Sequence, residues 1–280
     1  MSKGINMFEN IKLIICDIDW TLLSRQKRTL SPYSIDIFEK MHKKGIYFGL
    51  ASGRPIDEVI PAYEKWGLSF PCDVIISMNG GEIWDYHTNR FEELYKLKKE
   101  WIKEIVEITK PLNVNPYMYY HGALKALKYD EMVNAAAIRN KKRLIVAKDE
   151  EDFADEDNGK IMIRVKEEQM ADFEEYVSKF PSPYYQEFKT QATLMEFTDR
   201  RISKGEALVK YCDMNHLDIN RVVAFGDTTN DNQLLQNAGW GVCLLNGSDD
   251  TKAVSNDITE YTVEEDGVAR YIEKHILNGK

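Results

Sequence analysis

Apolar residues in this chain fall into short unbroken runs separated by stretches in which they recur every three or four positions. Leu13-Ile14-Ile15-Cys16 is too short for a helix and has no polar alternation, the pattern of a strand buried on both faces. Ser31-Pro32 then offers a helix cap and a first-turn proline, and Ile35, Phe38 and Met41 recur at helical spacing before Gly45 closes the segment. Ile46 to Ala51 reads as a second buried strand, Pro55 opens a helix through about Trp66, and Val74 to Ser77 forms a third strand. This alternation predicts a doubly wound parallel sheet of the α/β class.

The rhythm breaks at Asn79-Gly80-Gly81. Glu82 to Tyr86 and Phe91 to Tyr95 flank His87-Thr88-Asn89-Arg90 and predict a β-hairpin. Beyond it the pattern gives a helix from Lys98 to Lys110, a Tyr-rich strand from Tyr117 to Tyr120, and a helix from Asp130 to Asn140. Strands at Arg143–Ala147 and Ile161–Val165, a helix at Glu167–Phe180 and strands at Tyr184–Phe188 and Thr193–Phe197 complete a mixed α+β order. Tyr117, Tyr119 and Tyr120 read as packing residues of that sheet. The acidic run Asp149 to Asp157 reads as a solvated, mobile loop. From Ser203 the parallel rhythm returns: a helix carrying Leu208 and Val209, a strand Val222–Phe225 running into Gly226-Asp227, and a helix from about Asn230 to Ala238. A strand Val242–Leu245 and a last helix from Gly267 end the chain. The expected division is a parallel-sheet domain of residues 1–81 and 199–280, split by an inserted unit of residues 82–198.

Composition narrows the function. The net charge of −9 argues against a general nucleic-acid or anionic-membrane binder, while leaving room for a basic pocket that takes a small anion. The four cysteines form no C-x-x-C pair, and three lie in or beside apolar runs, so they read as small buried hydrophobes. No leader-like or membrane-length apolar segment is found, and a soluble, cytoplasmic protein is expected. Oligomeric state is not legible.

Candidate chemistry gathers where strands end. Asp17 and Asp19 follow the first strand directly, on one side if the chain stays extended, and two acids so placed repel unless a cation or shared proton lies between them. Three further islands sit at strand ends or a helix start: Ser52-Gly53-Arg54, Lys204-Gly205 and Gly226-Asp227-Thr228-Thr229-Asn230-Asp231. Oxygen ligands of this kind suit Mg²⁺, and a lysine, a hydroxyl and backbone N–H groups suit a phosphoryl group. Taken singly, Lys204 is a solvated helix-start lysine, Ser52 a turn or cap, and Arg54 a partner for a nearby acid. The five histidines read as incidental.

In these four islands the chain resembles the haloacid dehalogenase-like hydrolases. Asp17-Ile18-Asp19-Trp20-Thr21, Ser52, Lys204 and Gly226-Asp227-x-x-Asn230-Asp231 follow the order of that family's motifs. Ala51-Ser52-Gly53-Arg54-Pro55, Ser77-Met78-Asn79-Gly80-Gly81 and Asp266-Gly267-Val268-Ala269 narrow the likeness to Cof-like, type IIB capped phosphatases. The resemblance implies a Rossmann-like core with an α+β cap, in which Asp17 is the nucleophile and Asp19 the general acid and base. It further implies Mg²⁺ on Asp17, the Asp19 carbonyl, Asp227 and Asp231, phosphate on Ser52, Gly53, Lys204, Asn230 and Asn246, and a positioning role for Thr21. The expected activity is Mg²⁺-dependent hydrolysis of small phosphorylated metabolites, such as sugar phosphates or phosphorylated cofactors. A sugar phosphomutase and a non-catalytic phosphometabolite-binding protein are the rival readings. Trp20 departs from the family, which carries glycine there, and bears on substrate range more than on chemistry.

Overall fold

The computed structural model describes residues 7–24 and 26–279. In chain order, β1 (Leu13–Cys16), α1 (Pro32–Lys43), β2 (Tyr47–Ala51), α2 (Ile56–Tyr63), β3 (Val74–Ser77), β4 (Glu82–Asp85) and β5 (Arg90–Glu93) come first. There follow α3 (Lys99–Thr109), β6 (Pro116–Tyr120), β7 (Ala123–Ala126), α4 (Glu131–Arg139), β8 (Leu144–Val146) and α5 (Glu150–Phe153). Next come β9 (Ile161–Arg164), α6 (Met170–Val177), β10 (Tyr185–Gln191) and β11 (Leu194–Asp199). The chain then runs through α7 (Lys204–Met214), β12 (Val222–Gly226), α8 (Asn232–Asn237), β13 (Trp240–Cys243), α9 (Asp249–Val254), β14 (Asp257–Ile258) and α10 (Gly267–Tyr271).

Two units result, one comprising the residues up to Leu94 and from Ser203 onward, the other Tyr95–Ile202. The first holds an eight-stranded sheet, ordered β14-β13-β12-β1-β2-β3-β4-β5, parallel from β14 to β3. Its central strand is apolar throughout because both faces are covered. Leu13 and Ile15 pack with Leu208, Leu234 and Leu235 of α7 and α8, while Ile14 and Cys16 pack with Ile37, Phe38 and Met41 of α1. The strand order reverses between β1 and β12, and in such sheets the crevice beyond the strands' carboxyl ends at that point is where ligands sit.

The boundaries differ from those expected. The hairpin β4–β5 belongs to the core sheet: β4 pairs antiparallel with β3, Ser77 opposite Glu82, and the Leu94 N–H donates to the Gly81 carbonyl at 2.8 Å. At the other end Asp199 pairs with Tyr185, and Gln186 Nε2 donates to the Ile202 carbonyl at 2.9 Å, so the inserted unit runs on to Ile202.

The inserted unit is α+β. Its six strands, ordered β10-β11-β9-β6-β7-β8, are antiparallel except for the β7–β8 pair. One face packs under α3 and α6, through Ile102, Ile105, Phe173 and Val177; Val133, Ala136 and Ala137 of α4 meet Tyr117, Leu124 and Met162 on the other. The acidic run is a loop only in its second half, Ala154 to Asp157; its first half is helical. Asp149 caps α5 by accepting from the Asp152 N–H, Phe153 is fully buried, and the buried Lys125 ammonium donates to the Asp152 carbonyl and, at 3.0 Å, to Asp155. Four acids in and before a single short turn suit a helix amino terminus, and the charge run hides the anchoring phenylalanine.

Candidate active site

Asp17 and Asp227 leave adjacent parallel strands, β1 and β12, and the Asp17 N–H donates to the Phe225 carbonyl at 2.9 Å. Thr21 Oγ1 donates to Asp227 Oδ1 at 2.7 Å, tying the two strand-end loops together. Lys204 opens α7, whose cap Ser203 accepts from the Glu206 N–H at 3.0 Å. Its ammonium is wholly buried and donates to Asp17 Oδ1 at 2.5 Å and to Asp231 Oδ1 at 2.6 Å. The second Asp231 oxygen accepts from the N–H groups of Asp227 and Thr228, at 2.9 and 3.2 Å. Gly226 is required beside it, since a Cβ there would fall 2.5 Å from the Asp231 Cβ.

The electrostatics of this cluster are unbalanced. Each of Asp17, Asp227 and Asp231 offers a ligand oxygen within 4.8 Å of the others, and all three are buried. Burial first, then the neighbouring acids, push the Asp17 carboxyl up to about 7 against the pull of Lys204. Burial, Asp231 and Asp17 push Asp227 up to about 8. Burial opposes the charge on Lys204, but Asp17 and Asp231 outweigh it and raise its pKa. With all three acids ionised, three carboxylates around one ammonium leave an excess of two negative charges, which one divalent cation would match. All-oxygen donors at this spacing fit Mg²⁺ or a similar hard ion.

The remaining predicted residues lie around this cluster with different partners. Ser52 is buried at the end of β2, and its Oγ accepts from the Arg54 N–H at 3.2 Å. Asn230 donates from Nδ2 to Asn79 Oδ1 at 3.1 Å, while its buried Oδ1 has no hydrogen-bond partner among the described residues. The Asp19 carboxylate stands apart from the three-acid group: it is exposed and gripped by the Arg54 guanidinium, Nε donating at 2.8 Å and Nη2 closing the fork. Any part for Asp19 in holding a cation therefore falls to its main-chain carbonyl. Asn246 braces loops, its Nδ2 donating to the Trp20 carbonyl at 2.9 Å and its Oδ1 accepting from the Val263 N–H at 2.8 Å. Trp20 has φ +69°, a left-handed conformation that glycine adopts freely, and this is the physical reason for glycine at that position in the family it resembles.

Two residues gain weight that sequence reasoning did not give them. By sequence Arg54 reads as a partner for a nearby acid, and Asn79 marks the break in the strand–helix rhythm; both lie in stretches that carry the family likeness, with no role of their own assigned. The available signal was the Asn79-Gly80 pair directly after a strand, residue types that take up left-handed backbone readily, as they do here at φ +57° and +105°.

Residues 14–272 match the family of haloacid dehalogenase-like hydrolases. The chain is similar to 5-amino-6-(5-phospho-D-ribitylamino)uracil phosphatase YitU of Bacillus subtilis, with 28% identity over 94% of this chain and 97% of that protein. It is also similar to pyridoxal phosphate phosphatase YbhA of Escherichia coli, with 22% identity over 95% and 99%. The solved structure of the HAD subclass IIB sugar phosphatase BT4131 covers 94% of this chain and 98% of its own, at TM-score 0.78 and 20% identity. The chain belongs to the haloacid dehalogenase-like hydrolase family, as a Cof-like phosphatase.

Proposed function

We propose that this enzyme hydrolyses small phosphorylated metabolites, with Mg²⁺ as its cation and Asp17 as nucleophile. The observation that carries the reading is the buried cluster of Asp17, Asp227 and Asp231 around Lys204, which has acid in excess and lies at the sheet's switch point. Asp17, Asp227 and Asp231 would hold the cation, with the Asp19 carbonyl, and a bound Mg²⁺ would offset charge on the phosphoryl oxygens. Lys204, Ser52 and Gly53 would orient the phosphoryl group. Relatives named as phosphatases of 5-amino-6-(5-phospho-D-ribitylamino)uracil and of pyridoxal phosphate, and a fold neighbour titled a sugar phosphatase, support a small phosphomonoester as substrate class.

The chain's own atoms account for the steps. A carboxylate oxygen of Asp17 forms a bond to phosphorus as the ester P–O bond breaks, and Asp19 gives its proton to the departing oxygen. Asp19, now ionised, takes a proton from water, which attacks the aspartyl-phosphate and frees Asp17 and inorganic phosphate. A fork from Arg54 occupies both Asp19 oxygens, so proton donation requires Asp19 to leave that pairing first. We assign substrate selection to the inserted unit Tyr95–Ile202, because the groups placed on phosphate all come from the other unit.

A panel of sugar phosphates, phosphorylated cofactors and other small phosphomonoesters, assayed with Mg²⁺ and with chelator, tests the proposal. Phosphate release from members of the panel that stops with chelator is the expected result. Tight ligand binding with no release from any ester would replace catalysis with sensing.

A further inference from the structure

Ser52 with Gly53, Lys204 and Asn230 come from three separate stretches of chain, and one turn touches all three. Asn79 is buried, and its N–H donates to the Ser52 carbonyl at 3.0 Å. Its side chain lies against Gly53, where an added Cβ would come within 3.0 Å of Asn79 Oδ1. That same Oδ1 accepts from Asn230 Nδ2 at 3.1 Å. The next residue, Gly80, sits where a Cβ would fall 2.1 Å from the Ser203 carbonyl oxygen, so the turn also abuts the cap from which Lys204 projects.

The Asn230 amide shows what this turn does. With one N–H committed to Asn79 and a buried oxygen that has no partner among the described residues, its plane is set by the Asn79 bond. The second N–H and the oxygen are then presented in a fixed direction, without the entropy of a free rotor. We infer that Asn79 is a positioning residue for phosphate, acting through Asn230. The inference rests on the functional reading above, in which these groups face the phosphoryl oxygens.

Asn79→Gly removes the acceptor while keeping a residue that adopts the left-handed turn freely. The probe is inorganic phosphate, titrated calorimetrically in the presence of Mg²⁺, alongside kcat and KM for para-nitrophenyl phosphate. The parent chain is compared with Asn79→Gly, Asn230→Ala and the double variant. Asn79→Gly should weaken phosphate binding about tenfold, the scale of one hydrogen bond to a charged ligand, and lower kcat/KM in parallel. Its thermal midpoint should stay within about 3 °C of the parent. The double variant should bind phosphate no more weakly than Asn230→Ala, since Asn79 acts through that amide. Losses that simply add would overturn the inference, as would an Asn79→Gly chain that binds phosphate like the parent. A parent chain that neither binds inorganic phosphate nor releases it from the ester would overturn the functional reading itself, before any variant is compared.

Discussion

Two lysines, one in each unit, are buried to the same degree and do different work. Lys204 in the core faces Asp17 and Asp231, with Asp227 close by, and Lys160 in the inserted unit donates to Glu196 Oε2 at 2.9 Å. Around Lys204 the acids outnumber the cation, and two carboxyls are pushed far from their ordinary range. The Lys160–Glu196 pair ties the residue before β9 to the neighbouring strand β11, an ammonium set against a carboxylate, beside the Tyr119 ring. Burial of charge alone therefore says little. An uncompensated excess of one sign, at the end of parallel strands, is what separates a reacting site from a packed ion pair.

The largest effect should come from Asp17→Asn. It removes the nucleophile, so turnover should fall about ten-thousandfold or more. It also relieves the crowding of three buried acids, so the thermal midpoint should not fall. Measured together, the two readouts separate lost chemistry from lost folding. Retained turnover in this variant would remove the core cluster from the catalytic side of the comparison.

The two lysines can then be tested against each other. Lys204→Met and Lys160→Met each strip a buried carboxylate of its cation, and each should cost about 3–5 kcal/mol in urea unfolding. Mg²⁺ should recover much of the loss for Lys204→Met, because the three acids around the vacated ammonium remain as oxygen ligands. It should recover none for Lys160→Met. Recovery of both variants, or of neither, would erase the distinction between an acid-rich site and a balanced pair.

A smaller effect belongs to the core alone and follows from pH. Asp17 and Asp227 sit at about 7 and 8 in the folded chain, above an ordinary value of 3.8. Proton binding therefore favours the folded state: this contribution is complete below about pH 4 and is lost as pH rises through about 7 to 8. The thermal midpoint of the chelated protein should drift downward over that range. Mg²⁺ needs the ionised carboxylates, so its affinity should rise over the same interval, with proton release that calorimetry in two buffers detects. A metal affinity independent of pH between 6 and 8 would count against three crowded acids as the ligands.

The core was more legible than the insertion for a physical reason. Asp17, Asp227 and Ser52 each follow an apolar run that can only be a buried strand, so their location is local information. Ser31 and Ser203 cap helices for equally local reasons, accepting from the N–H groups of Ser34 and Glu206. In the inserted unit the decisive contacts are distant. Lys160 finds Glu196 36 residues along the chain and Lys125 finds Asp155 30 residues on, and charged residues inside short strands read as exposed until such partners are known. The strand β7, with Lys125 at its centre, went unread on this account. The hairpin β4–β5 was legible as a hairpin but not as part of the core sheet, since alternation does not say which sheet a strand joins. Likewise the Arg54 fork on Asp19 spans 35 residues, and nothing local to either residue announces it.

Backbone strain gives the finest test of the same contrast. Trp20, beside the core cluster, holds φ +69°, and Lys141, in an exposed turn of the inserted unit, holds φ +54°. A left-handed backbone costs a residue with a Cβ about 1–2 kcal/mol, and glycine gives back about 0.5–1 kcal/mol through its freer unfolded chain. Trp20→Gly and Lys141→Gly should each gain less than about 1 kcal/mol in urea unfolding if strain alone decides. Only the first should alter the enzyme, because the Trp20 indole is 45% exposed next to Asp19 and its carbonyl is held by Asn246. Removing the ring while keeping that main-chain bond should broaden the range of esters hydrolysed, read as kcat/KM across the panel. A Trp20→Gly chain that loses stability while Lys141→Gly gains it would show that the indole is packed, and that strain at the site is offset by contacts which the exposed turn lacks.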